Sequence, residues 1–209
     1  MSRRTSPPAS NPWLPSAGQT EQAAPAPAPP TYVSIGPQTP QTGVPFGFTG
    51  GLPLWSPDPM TPARWWWVGC HGGAGESTLS LAVEEGRDAG GRGWPVSASG
   101  LQNNVVLVTR THAGGLQAAQ TAARQWATGR LDGVNLLGLV AIADAPGKLP
   151  KSLQEWLKLV SGGVPRVWRV PWNESWRLGE WPDPQNSPRD VRKLASELMG
   201  LTTTRKIGG

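Results

Sequence analysis

The residues best equipped for chemistry stand together as His71-Gly72-Gly73-Ala74-Gly75-Glu76-Ser77-Thr78, directly after the apolar run Trp65-Trp66-Trp67-Val68. A glycine-rich turn between a strand and a helix lets main-chain N–H groups wrap an anion. The helix that follows adds its own unpaired N–H groups and the positive end of its dipole. Ser77 and Thr78 supply hydroxyls, with Ser77 on the side where magnesium would accompany a bound phosphate. The position before them, where phosphate loops carry a lysine, holds Glu76. Unit charges about 4 Å apart at an effective dielectric of about 20 interact by ~4 kcal/mol. Exchanging that attraction for repulsion outweighs the ~0.3–1 kcal/mol of a helix end. The turn is therefore shaped for a polyphosphate and wrongly charged for one, and Glu76 is placed to satisfy the helix end with no anion present. Rescue requires a cation from elsewhere, and Arg110 and Lys148, each just beyond a predicted strand, are the candidates.

Other chemistries are less well supplied. His71-Gly72-Gly73-Ala74-Gly75 is also similar to the oxyanion segment of esterases, but no Gly-x-Ser-x-Gly elbow follows it. Two histidines and one cysteine cannot build a conventional zinc site, and no metal is expected. His112 falls at a strand's carboxyl end, where a turn histidine is the plain reading and a ligand-facing one the sharper reading. Cys70 reads as a small packed residue rather than a nucleophile.

The elements that must hold this turn follow from hydrophobic periodicity. Residues 65–68 form a strand and residues 76–85 a short helix, with a Gly, Ser and Arg loop over 86–100. The run Val105-Val106-Leu107-Val108 suits a strand buried on both faces. A helix from about Gly115 to Gly129 places Leu116, Ala119, Ala123 and Trp126 on one side. Residues 134–143 form a third strand, 151–160 a helix, and 164–170 a fourth strand. The last helix starts at Ser187-Pro188, with Ser187 as the cap and Val191, Leu194, Ala195 and Leu198 facing inward. This alternation predicts an α/β fold, a small parallel β-sheet flanked by helices, with ligands at the carboxyl ends of the strands.

Residues 71–78 resemble the deviant phosphate loop of the ParA/MinD-type ATPases, Lys-Gly-Gly-x-Gly-Lys-Ser/Thr-Thr. Gly72, Gly73, Gly75, Ser77 and Thr78 match, and His71 and Glu76 stand at the two lysines. The segments around Val105–Ala119, Leu137–Asp144 and Val167–Trp172 are similar to later strands of that family. The acidic strands that position magnesium and the attacking water have no counterpart. The resemblance implies a trimmed P-loop NTPase-like fold, with ATP and magnesium as the cofactor if one is bound. Gly72, Gly73, Ala74, Gly75, Glu76, Ser77 and Thr78 would surround the phosphates, with Asp144 and Pro171 beside the base. It implies a non-hydrolytic regulator or adaptor, in plasmid partition, conjugation or secretion. An ATPase whose cation comes from elsewhere is the alternative. The chain also resembles a group of actinobacterial proteins of unknown function that share the Gly-Gly-Ala-Gly loop.

The first 62 residues hold 15 of the 23 prolines and almost no charge, the composition of a disordered arm. Trp13, Tyr32, Phe46, Phe48 and Trp55 are spaced along it as possible anchors for a protein partner. Domain boundaries follow: an arm over 1–62, an α/β domain over 63–200 and a basic tail over 201–209. Of the net charge of +5, residues 188–209 carry +3, a small excess that supports nucleic-acid contact only weakly. Trp172, Trp176 and Trp181 either form a partner surface or cover a sheet edge, so an interaction module acting through arm and tryptophans is a further alternative. The lone Cys70 excludes an intrachain disulfide and suits a reducing cytoplasm. Arg3-Arg4 lacks the apolar stretch of an export signal, and the longest apolar run, 136–143, is too short to span a bilayer.

Overall fold

The computed structural model describes residues 36–41, 43–45, 50–97 and 100–203. Its elements are, in order, β1 (Leu54–Trp55), β2 (Trp65–Gly69), α1 (Glu76–Ala82), β3 (Gly86–Asp88), β4 (Trp94–Pro95), β5 (Asn103–Arg110), α2 (Ala113–Ala127), β6 (Val134–Ile142), α3 (Lys151–Ser161), β7 (Val167–Val170), α4 (Glu174–Arg177) and α5 (Arg189–Thr203). Five strands form one sheet in the order β3-β2-β5-β6-β7, and every pairing in it is parallel. The fold is thus α/β with a parallel sheet, and helices cover both of its faces.

Alternation along the strands sorts the core into two layers. Trp66, Val68, Val105 and Leu107 meet Leu116, Ala119 and Trp126 of α2 and Leu157 and Val160 of α3. Trp65, Trp67, Val106 and Val108 meet Leu79 and Ala82 of α1 and Val191, Leu194 and Leu198 of α5. The tryptophan triplet is the hinge of this arrangement, since Trp65 and Trp67 are fully buried on one side and Trp66 on the other. Trp65 and Trp67 pack edge to face at 5.8 Å, a favoured aromatic geometry.

Several boundaries differ from expectation. The stretch read as a loop over 86–100 contains β3, hydrogen-bonded in parallel to β2, and β4, paired with β1. The physical reason is visible at Gly86. A Cβ there would lie 2.2 Å from Trp65 Nε1 and 2.3 Å from Trp67 Nε1, so the strand can pass beneath the indoles only as glycine. No apolar run therefore advertises it. Part of the segment assigned to the arm packs on the domain: Leu52 N–H donates to Gln125 Oε1, and Trp55 meets Trp66 edge to face at 5.1 Å. Trp13, Tyr32, Phe46 and Phe48 lie outside the described residues. The Ser187 hydroxyl, expected as the cap of α5, donates to Ala82 O and Asp183 O and so ties the start of α5 to the end of α1. Helix α5 continues to Thr203, into the span assigned to the tail. Among the described residues, no helix is long and apolar enough to cross a membrane.

Candidate functional site

The turn between β2 and α1 sits at the carboxyl end of the sheet, beside the ends of β5 and β6. Gly75 caps α1 in the left-handed region at φ 104°, with no side-chain hydrogen bond at the cap. A Cβ at that φ is strained. Gly72, Gly73 and Ser77 are exposed, Ala74 is buried, and Thr78 is half-buried.

Glu76, the first residue of α1, turns its side chain back across the turn. Its Oε2 accepts the N–H of Gly69, at the end of β2, rather than an N–H of the helix start. The Gly91 N–H lies near enough to favour the charged carboxylate as well, though more weakly than Gly69. The absence of a side chain at Gly69 makes room for this contact, since a Cβ there would lie 2.6 Å from Glu76 Oε2. Burial, and then the nearby Asp88 carboxylate, push the Glu76 carboxyl above its ordinary range, while the Gly69 and Gly91 N–H groups oppose them. Burial also pushes the Cys70 thiol up, leaving it protonated and inert.

On the opposite side of the turn stands Arg110, at the end of β5. A Cβ placed on Gly75 would be 3.9 Å from Arg110 Nη2 and 4.0 Å from Nε, so the guanidinium lies against the glycine turn. Arg110 Nη1 donates to Ala143 O at 3.2 Å. Burial, then Arg177, lower the Arg110 pKa, and Asp144 opposes them. The fold thus gathers Arg110, Asp144 and Arg177 at the ends of β5, β6 and β7. Lys148 is exposed on the connection after β6, and no described contact brings it to the turn; Pro171 is exposed just beyond β7.

The two histidines meet, their ring centroids 5.1 Å apart. His71 Nε2 accepts the Arg110 N–H at 3.2 Å, and its Nδ1 faces Gly72 O at 2.9 Å. That pairing requires a neutral ring with the proton on Nδ1. His112 caps α2, its Nδ1 accepting the Gly115 N–H at 3.0 Å. Both rings therefore fasten main chain. Among the described residues, no group of three or more His, Cys, Asp or Glu could hold a metal ion.

Sequence reasoning missed Arg177, Asp88 and Gly91. Arg177 carries no local signal, because the four-residue α4 buries no residue. Asp88 and Gly91 were hidden with β3. A polar cavity of about 420 Å³ lies elsewhere, beside β3, where Arg92 stacks 3.7 Å above the Trp55 ring. It shares no residue with the glycine turn, whose geometry carries more weight because several main-chain groups converge there.

No curated protein and no solved structure matches the chain. The model of DUF6668, a family of unknown function, matches residues 63–195, a span that runs from just before β2 into α5 and includes the glycine turn. The chain belongs to the DUF6668 family.

Proposed function

We infer that this protein is a non-hydrolytic, ParA/MinD-like degenerate phosphate-loop protein that acts as a regulator or adaptor through its surfaces. The observation that carries this reading is the Glu76 carboxylate lodged on the Gly69 N–H inside the turn. The turn holds an anion, and the anion is its own. A magnesium-bound triphosphate does not fit these residues. Its phosphates would meet Glu76, with Asp88 close behind, and like charges at about 4 Å cost up to ~4 kcal/mol before solvent screening. Plasmid partition, conjugation and secretion are settings suggested by the family resemblance alone.

One observation favours a second reading, a nucleotide-binding ATPase with a borrowed cation. Arg110 lies against Gly75, where such a cation would be needed. Calorimetry with ATP, ADP and GTP, with and without magnesium, separates the two. The expected result is no binding heat with the wild-type protein and measurable ATP binding by Glu76→Lys, at least tenfold tighter in apparent Kd. Turnover of ATP by the wild-type protein, abolished in Ser77→Ala, would overturn the first reading in favour of the second.

A further inference from the structure

Among the described residues, the two edges of the five-stranded sheet are β3 and β7, and the outer side of β7 is paired only at Pro165. Leu139 N–H donates to Arg166 O and Ala143 N–H to Val170 O. Residues 166, 168 and 170 therefore turn their main-chain groups toward β6. By the alternation of a strand, residues 165, 167 and 169 turn theirs outward. Val167 is only 2% exposed, and a buried main-chain N–H and C=O need partners. Among the described residues, Gly36 and Gln38 reach this edge, both at Pro165 O, and no main-chain partner is seen for Val167 or Arg169 on that side.

Gly36 already makes the first contact of a ladder. Its N–H donates to Pro165 O at 2.9 Å. A Cβ on Gly36 would lie 2.1 Å from Val164 O, so only glycine approaches this closely. In an antiparallel pair the partner residue would return an N–H to Gly36 O. Proline has none, and the Gln38 side-chain amide donates to Gly36 O instead, at 2.9 Å. The chain immediately before Gly36 reads Thr31-Tyr32-Val33-Ser34-Ile35, rich in β-branched and aromatic residues suited to a strand.

We propose that the outer edge of β7 is the docking site for residues 31–35 of this same chain, which lie outside the described residues and would add as an antiparallel sixth strand. Gly36 opposite Pro165 sets the register. Ser34 falls opposite Val167 and Tyr32 opposite Arg169, the two residues with outward main-chain groups. Val33 then stands opposite Trp168 and Ile35 opposite Arg166. Trp168 faces the α5 layer, so Val33 and Ile35 share that face. A mostly apolar cavity of about 430 Å³ waits there, lined by Arg166 and by Glu197, Gly200 and Leu201 of α5. The hydrogen-bond parity, the residue pattern and the cavity agree on one register. This inference does not rest on the reading of the glycine turn.

Full-length protein labelled for NMR tests it. The expected result is slow amide exchange at Val167 and Arg169, with an Hα–Hα contact between Val33 and Trp168, the close non-hydrogen-bonded pair. Ser34→Pro removes the N–H aimed at Val167 and should speed exchange at Arg169 at least tenfold. Val33→Pro, whose N–H would face away from β7, should change it less than threefold. Fast exchange at both positions in the wild-type protein, or equal effects of the two prolines, would overturn the proposal. So would a Val33–Trp168 contact seen only between differently labelled copies, which would make the occupant a second molecule.

Discussion

The turns after β2 and after β5 leave neighbouring parallel strands at the same end of the sheet, and each closes on itself by different means. After β5, His112 caps α2 through Nδ1, and the Thr109 hydroxyl donates to Gly115 O at 2.8 Å. Those groups are uncharged in the pairing they make, and they are packed against main chain. After β2, Gly75 offers α1 no side-chain cap, and Glu76 reaches back to the strand instead. That closure uses a carboxylate that burial and Asp88 both disfavour as an anion. One turn is fastened unconditionally, and the other only as far as its charge permits. A turn held by a charge can be released by a change of charge, which is why the turn after β2 is the better candidate for function.

Glycine substitutions break the comparison most sharply. A Cβ on Gly115 would lie 2.3 Å from Arg110 O, 3.0 Å from His71 Nε2 and 3.0 Å from Thr109 Oγ1. The nearest obstacle is main chain, which cannot swing aside. Gly115→Ala should therefore cost about 3 kcal/mol, the upper part of the range for overpacking. Denaturant unfolding measures it, and a loss under about 1 kcal/mol would show that this turn is as compliant as its neighbour.

At Gly69 the obstacle is only the end of the Glu76 side chain. Gly69→Ala should expel the carboxylate and cost about 1–2 kcal/mol, through the lost hydrogen bond and the exposed loop. In a Glu76→Ala background the three nearest atoms are gone, and the same substitution should cost much less. The two changes are therefore expected to be strongly non-additive in a double-mutant cycle. Simple additivity would mean that Glu76 and Gly69 do not share one contact.

This comparison was only half legible in the sequence. The strands and helices that carry long apolar signals could be read from it: residues 105–108 inside β5, the i, i+3, i+4, i+7 face of α3, and Val191, Leu194 and Leu198 in α5. The glycine turn and its reversed charge were equally plain, but the sequence offered Arg110 and Lys148 alike as its cation, and only the structure lays Arg110 against Gly75. What could not be read depends on contacts made in space. Strand β3 has three residues and no side chain under the indoles, so nothing in its composition marks it. The destination of Glu76 was misplaced by one element. Spacing puts it at a helix start, but only the missing Cβ of Gly69 draws it back to the strand. The meeting of His71 and His112 follows from β2 and β5 being neighbours, which no local pattern records.

The smallest effect probes the charge itself. Burial holds the Glu76 carboxyl above its ordinary 4.5 in the folded protein. Between that value and the folded one, the native state binds more protons than the unfolded chain. Stability then falls as pH rises through this window, by linkage. Glu76→Gln keeps an acceptor for the Gly69 N–H but cannot ionise. The stability of wild type relative to Glu76→Gln should therefore decline from pH 4 upward, by less than about 1 kcal/mol in all, since the half-buried group is partly screened by solvent. Taking the difference between the two proteins cancels contributions common to both, and the buried Cys70 thiol does not ionise in this range. The opposite slope, with wild type gaining on Glu76→Gln as the pH climbs, would mean that the Gly69 and Gly91 donors outweigh burial and Asp88. The turn after β2 would then be fastened as firmly as the one after β5, and the asymmetry between them would be lost.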